Sequence, residues 1–311
     1  MKLGIFGDIH LTSRGPSKRL DNFFETQMNK LAQAFNIFKE EKYNCIIQPG
    51  DLFDTHTVSN EVKAKLIRFL KKNMWEEEGV FFVSGQHDIS GHSLHTLKNS
   101  PLAVMEASGV GKLLTSSPQY LGDSVTQKQS IFIYGASYGE PIPEPREKNE
   151  YNILVLHKMI GDRELFPGQE LTKPNQFLRN NPDYQLVICG DYHYRFSSQY
   201  NSRTIINAGC IVRKTIGKFD LEHKPSVCIF DTDTNEVKFV ELDVEPVERV
   251  FDLSRETKKD KLETEKFINS LKEGNSGKGI NWKDALLQVM KRKKPSKEVQ
   301  NIIDECLEEV Q

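Results

Sequence analysis

No stretch of this 311-residue chain approaches the ~18 consecutive apolar residues that a membrane-spanning helix needs, so no transmembrane span is expected. The opening residues, MKLGIFGDIH, have no long apolar core and no small-residue cleavage site, which argues against a secretory leader. Cysteine is scarce and unpatterned. Cys45, Cys189, Cys210, Cys228 and Cys306 are odd in number and scattered, with no CxxC pair. Most of them sit in apolar strand-like runs and read as reduced core thiols in a reducing cytosol. Neither sign of charge is in excess: 42 Lys and Arg face 44 Asp and Glu, a net charge of -2. That excludes a global electrostatic grip on nucleic acid and leaves room for a local basic patch. Internal repeats and low-complexity tracts are also missing. What is present is a chain 37% apolar and 28% charged, with its apolar residues clustered rather than diluted, so it is expected to fold. Its length predicts about two domains.

The first half alternates strand and helix. Lys2 to Gly7 is a β-rich run, and residues 20–39 place Leu20, Phe23, Phe24, Met28, Leu31, Phe35 and Phe38 at helical steps. NCIIQ, a helix with Val58, Val62, Leu66, Phe69 and Leu70, and VFFVSG follow. This βαβαβ order predicts parallel strands with crossover helices. In the second half SIFIYG, YNILVLH, YQLVICG, TIINAG, SVCIFD and EVKFVEL are apolar runs separated by turn residues. They predict a second sheet packed on the first, within an α/β fold of two mixed sheets flanked by helices. Strand signals stop near Glu245-Pro246. The expected division is therefore a catalytic domain over 1–245 and a helical C-terminal region over 246–311, with helices at 258–272, at 281–294 and from about Lys297.

The chemistry lies where strands end. Asp8-x-His10 follows GIFG, Asp51 follows CIIQPG, Gln86-His87-Asp88 follows FFVSG, His157 ends ILVLH, and Asp191-x-His193 follows LVICG. Carboxyl ends of parallel strands line one edge of a sheet, where sites assemble. Residues i and i+2 share a face, which sets both side chains of each Asp-x-His toward one spot. The glycines before Asp51, Gln86 and Asp191 are expected to allow sharp turns. Carboxylate, imidazole and amide without thiolate favour manganese, iron or magnesium over a Cys-based zinc site. Two such ions about 3.5–4 Å apart, bridged by a carboxylate, would hold a phosphate and activate a water. Taken singly, each segment also reads as a hydrogen-bonded histidine or a turn aspartate; their joint order points to the metal site. His56 and His223 read as solvent-facing loop residues. His92 and His95 read as loop residues too, with lining of the cleft left open by their nearness to the third segment.

The ordered set D-x-H, GD, G-x-H-D, H, G-x-x-H resembles the calcineurin-like metallophosphoesterase superfamily over roughly residues 1–245. Within it, GDLFDTHTVSNE, GQHDISGHSLHTLKNSPLAVME and NAGCIVRKT resemble the double-strand-break repair nucleases of the SbcD type and their bacteriophage counterparts. The resemblance implies the metallophosphoesterase sandwich and two divalent ions, foremost Mn2+, with Mg2+ or Fe2+ as alternatives. Asp8, His10 and His193 would bind one ion, His157, Gln86 and Asp191 the other, and Asp51 would bridge. His87 would protonate the leaving 3′ oxygen or stabilise the scissile phosphate. Asp54 and Asp88 would orient imidazoles, and Arg213 would stand at the basic, DNA-contacting position of its loop. The superfamily usually carries Asn where this chain has Gln86 and His where it has Asp191. Three carboxylates facing two divalent ions leave a net charge of about +1, which favours harder ions.

The resemblance implies a DNA exo- and endonuclease in recombination or repair, in a bacterial cytoplasm or encoded by a phage. Its expected partners are DNA and an SMC-like ATPase of the SbcC type. A homodimer is compatible with it, and no membrane is involved. The last helix, with Val299, Ile302, Ile303, Cys306, Leu307 and Val310 on one face, reads equally as a cap on the core or a docking element for the ATPase. Lys291 to Lys294 reads as a solvated helix end that could also touch phosphates. Two other functions stay open: a metallophosphoesterase acting on a phosphoprotein, cyclic nucleotide or small phosphodiester, and a non-catalytic scaffold on the same fold.

Overall fold

The computed structural model describes residues 1–253 apart from 75–78, 125, 127, 166–168 and 170. In chain order it contains β1 (Lys2–Ile5), α1 (Phe23–Glu40), β2 (Cys45–Gln48), α2 (Asn60–Asn73), β3 (Val80–Phe82), α3 (Pro101–Ala107), β4 (Lys112–Leu113), β5 (Gln119–Asp123) and β6 (Ser130–Ala136). Then come β7 (Tyr151–His157), α4 (Pro174–Asn180), β8 (Leu186–Gly190), β9 (Phe196–Tyr200), β10 (Arg203–Asn207), α5 (Lys218–Glu222), β11 (Ser226–Asp231), β12 (Glu236–Glu241) and α6 (Val247–Val250). Among these residues no helix is long and apolar enough to cross a membrane. The helices expected after residue 257, with Cys306 and the 291–294 basic run, lie outside the described residues.

Two six-stranded mixed sheets form, ordered β12-β11-β1-β2-β3-β4 and β5-β6-β7-β8-β10-β9. β1 to β4 run parallel, as do β6, β7, β8 and β10. Successive side chains of a strand point to opposite faces, and all of these strands but β4 are apolar on both. Leu3, Ile5 and Ile47 meet Ile153, Val155 and Ile188 between the sheets. Phe6 and Ile46 turn outward onto Phe35 and Phe38 of α1, and Leu154 and Val187 onto Phe177 and Leu178 of α4. The layers are therefore helix, sheet, sheet, helix. α1 starts where the Asn22 side chain accepts the Glu25 N–H at 3.3 Å. Leu20 lies before the helix and is 60% exposed, so it is not part of the apolar face.

SVCIFD and EVKFVEL do not join the second sheet. β11 pairs antiparallel with β1, and β12 with β11, so both extend the first sheet. Cys228 and Phe230 face between the sheets while Val227 and Ile229 face the helices. A strand apolar on both faces fits either sheet by pattern alone; the pairing partner is a long-range choice. β4, β5 and β9 are short strands without an apolar run. The compact unit extends to Leu253: beyond β12, α6 and Phe251 fold back so that the Arg19 guanidinium lies 4.8 Å from the Phe251 ring.

Candidate metal centre

The carboxyl ends of β1, β2 and β3, neighbours in one sheet, face those of β7 and β8, neighbours in the other. The five segments therefore converge from two sheets rather than along one edge. His10, Asp51 and Asp191 adopt left-handed backbone (φ 49°, 52° and 80°) in the turns that leave β1, β2 and β8. Such conformations cost of order 1–3 kcal/mol each and persist where the surroundings impose them. The surroundings here are hydrogen bonds to these turns: His10 N–H donates to the Asp51 carbonyl at 2.9 Å, and Asp191 N–H donates to the Asp8 carboxylate Oδ2 at 3.1 Å.

Two of the glycines serve a different purpose from the one expected. Gly85 and Gly190 are absent from the left-handed region. They are small because the turns touch: a Cβ on Gly85 would lie 2.0 Å from Asp51 Oδ1, and one on Gly190 2.8 Å from Asp8 Oδ1. Gly50 does take left-handed backbone at φ 102°.

Asp8, His10 and His193 come together on one side. His193 Nε2 is 3.3 Å from Asp8 Oδ2 and 3.2 Å from His10 Nε2. On the other side His157 Nε2 is 3.5 Å from Asp51 Oδ2 and 3.9 Å from Asp191 Oδ1. Gln86 Nε2 donates to Asp191 Oδ1 at 2.9 Å. Asp51 stands between, with Oδ2 3.8 Å from His10 Nε2. Ligand atoms of Asp8, His10 and His193, and of Asp8, Asp51 and His157, lie within 4.8 Å of one another. His10, Asp51 and His87 form a third such group. His87 differs from the rest in standing at the rim, with 44% of its side chain exposed against 1% for Asp51.

This set fits divalent cations. Asp51 Oδ2, His157 Nε2 and Gln86 Oε1 are buried and have no hydrogen-bond partner among the described residues, although buried polar atoms are rarely left so. Burial and the nearby Asp8 and Asp51 carboxylates outweigh the His157 imidazole and the Gln86 amide, and Asp191 titrates above the usual range. Burial opposes charge on His157, yet its contact with Asp51 and the fields of Asp51, Asp8 and Asp191 push it up to about 10. Burial likewise opposes Asp51, but His157, His10 and His87 hold it well below the carboxylate range. The buried carboxylates thus favour positive charge among them.

The surrounding residues partly depart from expectation. Asp54 does touch imidazoles: its Oδ1 is 3.5 Å from His10 Nδ1, and its carbonyl accepts from His87 Nδ1 at 3.0 Å. Asp88 holds backbone rather than an imidazole, accepting from Phe53 N and Gly85 N at 2.9 Å each. Burial and the neighbouring Asp51 push Asp88 up to about 7. Arg213 does not face the cluster; it is 8% exposed and donates to the Glu245 carbonyl. Lys214, the next residue, reaches in and donates to Asp54 Oδ1 at 2.7 Å. His223 is not solvent-facing: it is 8% exposed, with Nε2 2.6 Å from the Cys210 carbonyl. His56 and His95 are exposed, as is His92, whose ring meets Tyr138 edge-on at 5.9 Å. Tyr138 in turn is 6.5 Å from the His157 ring.

Two supports escaped sequence reading. Gln27 is fully buried on α1 and donates to the His10 carbonyl at 2.6 Å; its signal is a polar residue inside an apolar helical stripe. The Pro49 carbonyl, which His157 Nδ1 meets at 2.7 Å, carries no side-chain signal.

A family model described as calcineurin-like phosphoesterase matches residues 1–195. No curated protein matches the chain. Solved structures that align with it include an archaeal phosphodiesterase at 16% identity and TM-score 0.41, covering 78% of this chain and 100% of that one. A hypothetical protein from Pyrococcus horikoshii aligns at 18% identity and TM-score 0.40, covering 85% and 93%. A dimetal phosphatase from Danio rerio aligns at 11% identity and TM-score 0.48, covering 78% and 95%.

Proposed function

The chain belongs to the calcineurin-like phosphoesterase family, and from that premise we propose that it is a two-metal phosphodiesterase that cleaves DNA. The observation that carries the hydrolytic reading is the convergence of Asp8, His10, Asp51, His157 and His193 with buried, unpartnered ligand atoms between them. Asp8, His10 and His193 would hold one cation, His157, Asp191 and Gln86 the other, with Asp51 between, and Mn2+ is our choice of metal. Such a pair supplies Lewis acidity toward phosphoryl oxygens and a water acidified toward neutral pH.

The chain's own residues do the rest. The Pro49 carbonyl takes the Nδ1–H of His157 and leaves Nε2 directed at Asp51. Asp54 and Lys214 brace His10 from behind. His87 is the proton donor to the leaving oxygen: its Nδ1 is held by the Asp54 carbonyl, its backbone N–H donates to Asp51 Oδ1 at 2.9 Å, and its ring faces the open rim.

DNA as substrate, and an SMC-like ATPase with a second copy of this chain as partners, rest on the likeness of GDLFDTHTVSNE, GQHDISGHSLHTLKNSPLAVME and NAGCIVRKT to the SbcD-type nucleases. The test is cleavage of single- and double-stranded DNA with manganese, with magnesium and with EDTA, beside bis-p-nitrophenyl phosphate and a phosphoserine peptide. Manganese-dependent cutting of DNA supports the reading. Hydrolysis of the small esters without DNA cleavage assigns the site to another phosphoester. No hydrolysis of any substrate returns the fold to a scaffold role.

A further inference from the structure

Helix α1 buries a lysine where its packed stripe would ordinarily carry an apolar residue. Lys30 lies with Gln27, Leu31 and Ala34 on that face and is 6% exposed. The aliphatic stem is what the face buries, and the ammonium keeps access to solvent through the pocket it borders. Among the described residues Lys30 has no hydrogen bond and no ion pair.

The side chain borders a pocket of about 170 Å³ between α1, the Val212–Arg213 turn and the segment that follows β12, with Arg19 and Arg213 also in its wall. Arg19 is committed, to Asp21 through Nε and Nη2 and to the Arg213 carbonyl through Nη1 at 2.7 Å. Arg213 gives one donor to the Glu245 carbonyl, and the others have no acceptor among the described residues. Asp243 and Glu245 border the pocket without pairing with Lys30. Burial and then Arg213 push the Lys30 ammonium down to about 8, against the pull of Asp243 and Glu245.

We propose that this pocket binds a phosphoryl oxyanion, either free inorganic phosphate or the terminal phosphate of a nucleic acid strand, through Lys30 and Arg213. The planar fork of an arginine matches two oxygens of a tetrahedral anion, and a lysine adds a point charge. The site is separate from the metal centre but abuts it. Arg213 lines the pocket, and the next residue, Lys214, donates to Asp54 beside His10. Near Lys30 on the same helix, Gln27 holds the His10 carbonyl. The proposal does not depend on the nuclease reading, because it needs no metal.

The experiment is a set of thermal melts of the full-length chain, with EDTA and with manganese, titrating inorganic phosphate against chloride at matched ionic strength. The expected result is a saturable rise of about 2 °C once phosphate exceeds its Kd several-fold, present in EDTA and lost in Lys30→Met. A 5′-phosphorylated oligonucleotide and its unphosphorylated twin form the second arm. A shift with the phosphorylated strand alone assigns the site to strand ends, and a shift with inorganic phosphate alone to the free anion. The chloride melt of Lys30→Met reports its folding, and Lys30→Gln serves the same comparison if that variant is unstable. Absence of a saturable shift with both probes in EDTA, or an equal shift in a folded Lys30 variant, overturns the proposal.

Discussion

His157 Nδ1 donates to the Pro49 carbonyl at 2.7 Å, so the end of one sheet's strand is pinned to the turn leaving the other sheet. That single bond directs Nε2 toward Asp51 Oδ2, 3.5 Å away. Because the acceptor is backbone, no substitution at Pro49 removes it, and the imidazole is the only half of the pair that mutation can delete.

His157→Ala should therefore cost one metal equivalent and destabilise the metal-free protein by roughly 3 kcal/mol, since it strips a buried partner from Asp51. Elemental analysis and denaturant melts check both. The pH dependence has a defined sign. With a folded pKa of about 10 against the ordinary 6.5, His157 stabilises the metal-free protein fully below about pH 6.5 and loses that contribution as pH rises through about 10. Manganese must displace the same proton, so its affinity by calorimetry should climb across that interval. A flat profile would mean His157 does not meet the metal.

His87→Ala should lower phosphodiester cleavage by roughly 10²–10⁴-fold while the protein still binds two ions. The reason is its place at the rim, bonded through Nδ1 to the Asp54 carbonyl. Kinetics beside elemental analysis decide it: loss of a metal equivalent would make His87 a ligand.

Asp191→His should change metal preference more than stability. The position takes φ 80°, which Asp and His both tolerate better than most residues. Exchanging carboxylate for imidazole removes a negative charge and the acceptor of the Gln86 amide. Activity should move toward iron, cobalt or zinc and away from magnesium, with a lower pH optimum. An unchanged metal ranking in pH–rate profiles would show that Asp191 stays clear of the ions.

Gly85→Ala should cost metal affinity although the residue bears no ligand. Its Cβ would meet Asp51 Oδ1 at 2.0 Å and Asp51 N at 2.4 Å, so the turn must shift and carry Asp51 with it. The expected penalty is about 1–3 kcal/mol in the melt, with weaker manganese binding by calorimetry. Wild-type affinity would mean the two turns can separate without cost.

The sequence by itself determined the local events: which runs are strands, that α1 packs one face, and that Asp8, His10, Asp51, His157 and His193 stand at strand ends. Each is set by periodicity of 2 or 3.6 residues and by the residue types beside it. Only the tertiary structure decided what those events face. SVCIFD is apolar on both sides, so its joining β1 rather than the second sheet depended on pairing across most of the chain. Arg213 and Lys214 are equally basic, and one step of the turn sent Lys214 to Asp54 and Arg213 to the Glu245 carbonyl. His223 sits in a polar stretch yet fills a buried place against Cys210. Asp88 turned from an expected imidazole partner into the acceptor of two backbone amides. In each case the pattern states that a side chain is apolar, charged or able to bind, while its partner is supplied by residues far away in sequence, whose positions are set only when the two sheets pack.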